Sequence, residues 1–158
     1  PDIPQQGGHH VRVFRNKAIN NNTDNFAPEG NIVGEVPRGM GILVQASSHV
    51  EIFDNDIGDN DTINIAIVTY GFETDDENYY PHPRSIQIHG NRFGKSGYNP
   101  DLETGELAKI LYELSDGNMP HIFWDGIVPL PQILFGQPKD EKIVFGDNGD
   151  ASFLTINA

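Results

Sequence analysis

Three segments of the chain repeat the same alternation of apolar and polar residues. They span residues 10–19, 49–58 and 85–94 and share the pattern V/I-x-V/I-x-x-N-x-A/I/F. Two β-branched residues at alternate positions predict a short strand with one buried face. The Asn that follows marks a turn, because Asn tolerates left-handed backbone geometry. A repeat of this kind predicts a solenoid of stacked coils.

Stacking the three repeats in register places equivalent side chains over one another. Asn side chains in such a column can bond from one coil to the next, and apolar ones can form stacks beside it. The predicted sets are an amide ladder of Asn16, Asn55 and Asn91, aliphatic stacks of Val11, Val50 and Ile86 and of Val13, Ile52 and Ile88, an Arg12–Glu51 ion pair, a Phe14–Phe53–His89 stack and His10 over His49.

The spacing of the repeats predicts how the chain is organised. The intervals of 39 and 36 residues are long enough for one coil and a protruding loop each. Residues 20–38 and 71–84 read as these loops, because they are rich in Asn, Pro, Gly and acidic residues. Strands resume at 41–46 and 63–70. We therefore assign residues 1–100 to β-helix coils with these two excursions, and 101–158 to a final coil, a short helix and a C-terminal β cap.

The C-terminal region carries the single helical pattern. Leu107, Ile110, Leu111 and Leu114 are spaced for one apolar helix face. Extended segments are predicted at 120–128, 133–135, 142–145 and 151–156, and solenoids need a terminal unit that covers the open core. The predicted fold class is thus all-β, a parallel β-helix with an Asn ladder. A β-sandwich would need more hairpin signals than the Asn148-Gly149 pair.

Charge and composition limit the classes of molecule that we expect the protein to bind. The chain has 10 Lys plus Arg against 23 Asp plus Glu, a formal charge of −13, and no Cys. Such a field repels nucleic acids and anionic membrane surfaces. No apolar run reaches the roughly 20 residues that span a bilayer. The opening Asp2-Ile3-Pro4 resembles the end of a strand, so we expect the N-terminal edge to be covered by an upstream part of the same β-helix, a companion chain or a second copy.

The repeats resemble the right-handed parallel β-helix (PbH1) repeats of exported bacterial proteins, among them pectate and alginate lyases and mannuronan C5-epimerases. Residues 11–16, 25–33, 37–41 and 124–126 are also similar to an uncharacterised β-helix family of marine and other Gram-negative bacteria. The resemblance implies a right-handed coil, a secreted or periplasmic location and a polysaccharide partner. The same solenoid carries enzymes and inert spikes, so it does not decide the activity.

The loop before the third repeat supplies candidate catalytic residues. A uronate lyase or epimerase needs a base for the sugar C5 proton, an acid on the opposite face and a cation for the carboxylate. His82, Tyr80 and Arg84 have these chemical types, although Tyr80 stands where the epimerase motif Asp-Pro-His has Asp. Tyr79 and Trp124 are candidates for sugar stacking. The alternatives are a loop whose prolines direct the chain into the next strand, and a Trp124 that belongs to the core.

Acidic and histidine side chains form two candidate metal sites. Asp54, Asp56, Asp75 and Asp76 supply the oxygen ligands that Ca²⁺ prefers, although no EF-hand or calcium nonapeptide motif is present. The alternative is a solvated acidic turn. His9, His10 and His49 could share a metal across neighbouring strands, or form a structural stack.

Two functional hypotheses follow. The first is an exported β-helix protein that binds polysaccharide and, in its enzymatic version, processes it as a lyase or C5-epimerase. The second is a non-catalytic structural or interaction module that caps a larger β-helix protein or assembly.

Overall fold

A computed structural model describes residues 8–28, 30–71 and 75–156, and this part of the chain is mostly β-strand. The strands are β1 (Gly8–Phe14), β2 (Lys17–Ile19), β3 (Met40–Gln45), β4 (Ser47–Phe53), β5 (Asp56–Gly58), β6 (Ile63–Val68), β7 (Arg84–His89), β8 (Arg92–Phe93), β9 (Ile122–Trp124), β10 (Ile143–Phe145) and β11 (Phe153–Thr155). The helices are a 3₁₀ turn (Ile32–Glu35), α1 (Glu106–Leu114) and α2 (Leu130–Phe135). None of these helices is long and apolar enough to cross a membrane.

The strands form three sheets in which every pair of neighbours is parallel. The first sheet has the order β1-β4-β7-β10, the second β2-β5-β8, and the third β3-β6-β9-β11. The chain therefore visits the first, second and third sheets in turn and then returns to the first. It makes four such passes in the described residues, and the fourth lacks a strand in the second sheet.

The pairing register of the first sheet confirms both predicted aliphatic stacks. Val11, Val50 and Ile86 are aligned, and Ile143 extends the row; Val13, Ile52 and Ile88 are aligned, and Phe145 extends the row. Ile52, Ile86 and Ile88 are fully buried and meet side chains of the other two sheets in one core. Burial of each such side chain stabilises the fold by roughly 1.5–3 kcal/mol.

Strand β6 of the third sheet is buried on both faces. Every residue of β6 is buried, as expected for a strand covered on two sides. Its outer face packs with Leu111 of α1, Met119 and Phe123 in a second core. The predicted helix is present, but its buried side consists of Ala108 and Leu111. Ile110 and Leu114 of the predicted face are largely exposed, because the sheet contacts only part of the apolar stripe.

The predicted Asn ladder is present and has four rungs. The Nδ2 atoms of Asn16, Asn55 and Asn91 donate to the Oδ1 atoms of Asn55, Asn91 and Asn148 at 3.2, 2.9 and 3.1 Å. The backbone N–H of each donor residue reaches the same oxygen. Asn55 and Asn91 are buried. The ladder thus ties together all four passes of the chain.

The left-handed residue at this turn is not the Asn that we predicted. Positive φ angles occur one position earlier, at Arg15 (56°), Asp54 (53°) and Gly90 (64°). The Asn side chain then points inward from an ordinary backbone conformation, where its amide meets the next rung. The strain of the turn is therefore carried by the preceding residue.

A second, shorter amide column was missed in the sequence. Asn21 donates to Asn60 Oδ1 at 3.1 Å, and Asn60 donates to Asn64 Oδ1 at 2.9 Å. Asn60 and Asn64 are fully buried. Asn21 falls in the segment that the sequence assigned to a loop, and one Asn in an Asn-rich loop gives no signal of its own.

The tail differs from prediction in one element. Residues 133–135, predicted to be extended, belong to helix α2. A three-residue apolar run has no period that separates strand from helix. The other two tail strands extend existing sheets, β10 beside β7 and β11 beside β9. The predicted strand end at Asp2-Ile3-Pro4 lies outside the described residues.

Candidate functional site

The loop before β7 brings the three candidate catalytic residues together. The guanidinium carbon of Arg84 lies 4.0 Å from the centroid of the Tyr80 ring. The rings of Tyr80 and His82 meet edge to face with centroids 5.4 Å apart. A cation over an aromatic face is attracted by the ring quadrupole, which holds Arg84 beside the loop. We call Tyr80, His82 and Arg84 the loop cluster.

The surroundings of His82 favour its neutral form. Burial lowers its pKa below the ordinary 6.5, while the charge of Asp125 and a hydrogen bond with the backbone of Ile127 act in the opposite direction. Its Nδ1 lies 3.3 Å from the hydroxyl of Thr69. Asp125 is itself fixed by the backbone N–H groups of Thr69 (2.6 Å) and Ile127 (3.0 Å). A neutral imidazole held in this way can accept a proton.

Tyr80 is suited to donate a proton rather than to accept one. Burial and the charge of Glu141 raise its pKa, against the smaller opposing effects of Arg84 and a hydrogen bond with Gln132. Its phenol therefore stays protonated at neutral pH. Tyr79, by contrast, donates its hydroxyl to the backbone carbonyl of Tyr70. That hydroxyl is engaged with the scaffold.

Trp124 is partly buried and packs against the core. In β9 it is aligned with Ile67 of β6 and Thr155 of β11, and its indole packs against the core of the three sheets. Its Nε1 and the Thr155 hydroxyl are buried without a hydrogen-bond partner among the described residues. The core alternative given for Trp124 agrees with this placement.

The four candidate calcium ligands are not gathered into one group. Asp56 pairs with Arg92 at 2.6 Å, which gives its carboxylate a structural partner. Within residues 8–28, 30–71 and 75–156, no three His, Asp or Glu side chains are arranged to hold a metal. Neither Asp54, Asp56, Asp75 and Asp76 nor His9, His10 and His49 are brought together as such a group of three, and metal binding by them stays a prediction.

The outer face of the first sheet carries rows of stacked side chains, as the register predicted. The rings of His10 and His49 stack at 4.6 Å. Phe14, Phe53 and His89 form a second row, with centroid distances of 5.0 and 5.4 Å. These rows give the face a series of flat rings spaced by one strand.

Charged side chains complete the same face. Arg12 bonds to Glu51 at 2.7 Å, which confirms the predicted ion pair. Glu51 also meets His89 at 3.2 Å. Hydrogen bonds from Arg12 and His89 lower the pKa of Glu51, so it stays ionised well into the acidic range. The Arg12 guanidinium also lies 4.8 Å from the centre of the Phe53 ring.

A groove of about 620 Å³ runs along this face, and we call it the first-sheet groove. Its lining includes three cationic side chains, Arg12, Lys139 and Lys142, against the two carboxylates of Glu51 and Asp140. The whole chain has 10 basic and 23 acidic residues. The groove therefore reverses the charge balance of the rest of the molecule.

The sequence reasoning missed the lysines of this groove. Lys139 and Lys142 both precede β10, and Ile143, Phe145 and Asn148 repeat the spacing of the three recognised segments. Phe145 stands where the other repeats have Val or Ile, which hid the match. A repeat pattern that allows Phe at this position would have included the segment. It would then have predicted Lys142 beside Ser85 on the outer face of the first sheet.

The loop cluster is connected to the first-sheet groove through neighbouring residues, although Tyr80, His82 and Arg84 are not among the residues that line it. Ser85 lines the groove directly after Arg84, and its hydroxyl donates to the carbonyl of Asp140 at 2.6 Å. Glu141, next to Asp140, acts on Tyr80.

Comparison with known proteins gives no relative: no protein-family profile, no curated protein and no solved structure matches the chain.

Proposed function

We propose that the protein is an exported, right-handed parallel β-helix that binds an acidic polysaccharide in the first-sheet groove. The repeated visit to three parallel sheets and the four-rung Asn ladder support the solenoid. The observation that carries the function is the groove itself, where Arg12, Lys139 and Lys142 gather on a chain of charge −13.

The spacing of the groove suits a linear sugar chain. Neighbouring parallel strands lie roughly 4.8 Å apart, a distance comparable to one pyranose unit. Phe14 and Phe53 are not among the lining residues of the groove, but their stacked rings on the same face offer flat apolar surfaces for sugar rings, with Phe14 41% exposed. Lys and Arg bind carboxylates by charge-assisted hydrogen bonds. The Arg12–Glu51 pair is exposed enough to rearrange, because such pairs contribute little on their own.

The enzymatic version places the chemistry at the loop cluster. His82 takes the proton from C5 of a uronate, and Arg84 neutralises the adjacent carboxylate while charge develops on it. In a lyase the C4–O bond then breaks, a C4–C5 double bond forms, and Tyr80 protonates the leaving oxygen. In an epimerase Tyr80 returns a proton to C5 on the opposite face. Both versions use the neutral His82 and the protonated Tyr80.

Binding is tested with defined oligouronates from alginate and pectate, titrated by calorimetry. We expect Lys142→Ala and Lys139→Ala each to weaken binding about threefold, because each removes one charged contact. Lys95→Ala is the matched control, since Lys95 is exposed and does not line the groove.

Equal losses for Lys95→Ala and the groove variants would contradict the proposed site. Turnover is followed separately, by absorbance of unsaturated chain ends for a lyase and by NMR for an epimerase. Loss of turnover in His82→Gln, with binding retained, would assign the loop cluster to catalysis.

A second candidate function is an interaction module that caps an assembly. Helix α2 favours it, because Leu130, Ile133 and Phe135 are 65%, 66% and 87% exposed. Exposed apolar clusters of this kind mark interaction surfaces. Light scattering of the purified protein, with and without Phe135→Ser, separates this candidate: a larger assembly that Phe135→Ser disperses, with no uronate binding, would favour it.

A further inference from the structure

The second sheet stops one strand short of its neighbours. The first and third sheets have four strands each, and the second has three. After Asn91 the chain continues into β8, whereas after Asn148 it reaches Ser152 within four residues and pairs there with His121. The fourth pass of the chain therefore places no strand beside β8.

This shortcut leaves a groove of about 790 Å³ against β8. Its walls are β8 and the residues before it on one side, His121 at one end, and residues 147–151 on the other side. It shares no lining residue with the first-sheet groove. We call it the β8 groove.

The backbone of β8 presents an unpaired edge to this groove. Arg92 and Gly94 donate their N–H groups to the carbonyls of Asn55 and Ile57 at 2.8 and 2.9 Å. N–H and C=O groups of successive residues in a strand point to opposite edges. The N–H and C=O of Phe93 therefore face the β8 groove, and in the described part of the chain β8 pairs only with β5.

The side chains around the edge are acidic and aromatic. Arg92 is already paired with Asp56 at 2.6 Å. Asp147 and Asp150 have no ion pair among the described residues. The rings of Phe93 and His121 meet edge to face at 5.8 Å and form an apolar wall. The groove thus offers one backbone donor, one backbone acceptor, an aromatic surface and two carboxylates without an ion pair, of which Asp147 also accepts a hydrogen bond from the Gly149 backbone at 3.1 Å.

We propose that the β8 groove binds an extended, basic segment of a partner polypeptide as the missing fourth strand of the second sheet. An unpaired strand edge is matched by another peptide backbone, which supplies a donor and an acceptor at strand spacing. Asp147 and Asp150 select Lys or Arg side chains in that segment, and the Phe93–His121 wall takes an apolar neighbour.

The test uses a capped pentapeptide, acetyl-Val-Lys-Val-Lys-Val-amide, titrated into the ¹⁵N-labelled full chain. Binding should slow hydrogen exchange at the Phe93 amide and shift resonances of residues 147–151. The Val-Glu-Val-Glu-Val peptide should bind at least tenfold more weakly, because its charges face Asp147 and Asp150.

Two backbone-methylated peptides probe the hydrogen bonds directly. One is N-methylated at the valines and the other at the lysines, so each blocks a different edge of the extended peptide. One of the two should bind about tenfold more weakly than the parent, because the hydrogen bonds to Phe93 are lost. Equal binding of both methylated peptides, or no binding of the parent peptide at millimolar concentration, would overturn the proposal.

Protein variants locate the site. Asp147→Asn and Asp150→Asn should each weaken binding about threefold, while Asp75→Asn, an exposed acid elsewhere, should leave it unchanged. Ala151→Trp should fill the groove and abolish binding, with its circular dichroism spectrum as the check on folding. An effect of Asp75→Asn as large as that of Asp150→Asn would show attraction to net charge alone and overturn the assigned site.

Discussion

Single Asn side chains join successive passes of the chain by hydrogen bonds. Asn55 accepts hydrogen bonds from the backbone and side chain of Asn16 and donates to Asn91. It is 1% exposed, so none of these groups can turn to water instead. A buried polar group that loses its partners costs the fold about 1–3 kcal/mol.

We therefore expect Asn55→Ala to destabilise the protein by about 3 kcal/mol, since it strands partners on both sides of the rung. Asn16→Ala should cost about 1 kcal/mol, because Asn16 is exposed and ends the ladder. Urea denaturation of both variants gives the comparison. Similar losses for the two would contradict a ladder in which burial sets the contribution of each rung.

The protonation of the loop cluster also depends on the surroundings of single residues. Burial lowers the pKa of His82 below 6.5, and the negative charge of Asp125 partly offsets this. The pKa of His82 is lower in the folded protein than in the unfolded chain. Its contribution to the free energy of unfolding is therefore fully present above pH 6.5. That contribution is lost as the pH falls below 6.5, since the unfolded chain binds the proton more readily.

Removing the negative charge of Asp125 leads to a prediction with a defined direction for the pKa of His82. Asp125→Asn should lower the pKa of His82 further, because the remaining influence of burial disfavours the imidazolium. The titration is followed by NMR of the imidazole protons. His121 is the internal control: burial lowers its pKa too, with Gly94 as its hydrogen-bond partner. An unchanged His82 titration in Asp125→Asn would remove Asp125 from the cluster.

At the scale of elements, the repeated strands were easier to predict than the tertiary contacts that each element makes. The alternation of β-branched residues was enough to place β1, β4 and β7 and their register. Helix α1 was predicted from its period, but its buried side depends on where β6 lies. Residues 133–135 gave no period at all and were assigned the wrong element.

The candidate site shows the same limit. Tyr80 and His82 lie in one short loop and Arg84 begins the strand that follows it, so their proximity could be expected from the sequence. Asp125 reaches His82 only because β9 pairs with β6, and Gln132 reaches Tyr80 only through α2. Those contacts depend on tertiary pairing between segments about 40 residues apart or more, for which the local pattern gives no signal.

The packing of α1 against the outer face of β6 leads to a prediction at this scale. Leu111→Ala should destabilise the protein by about 3 kcal/mol, because it opens a cavity against the outer face of β6. Ile110→Ala is the matched control on the same helix, with its side chain 51% exposed, and should cost below about 1 kcal/mol. Thermal unfolding of both variants tests which face of α1 is packed. A reversed order would place α1 differently on the sheet.

At the scale of the whole molecule, stability should be graded along the stack of passes. Among the described residues, each strand pairs only with strands of the passes beside it, so local opening begins where one paired neighbour is missing. The central strands β4, β6 and β7 contain most of the fully buried side chains. Strands β10 and β11 have three residues each and lie at the outer edge of their sheets.

Hydrogen exchange measured by mass spectrometry should follow this gradient. Peptides that cover β6 and β7 are expected to exchange most slowly, and those that cover β10 and β11 much faster. An oligouronate bound in the first-sheet groove should slow exchange in β10, because Lys142 and Val144 line the groove. Uniform exchange across all strands would indicate that the passes open as one cooperative unit.

The four-rung ladder has a head and a tail. Each carbonyl that accepts along the ladder, on Asn55, Asn91 and Asn148, points towards the preceding pass. Each amino group that donates along it, on Asn16, Asn55 and Asn91, points towards the following pass, so these side-chain dipoles add along the stack as peptide dipoles do in a helix. The Asn16 end is therefore partly negative and the Asn148 end partly positive. In sequence the cation Arg15 precedes the first rung and the anion Asp147 precedes the last, so the residues next to the two ends carry the charges that these ends attract.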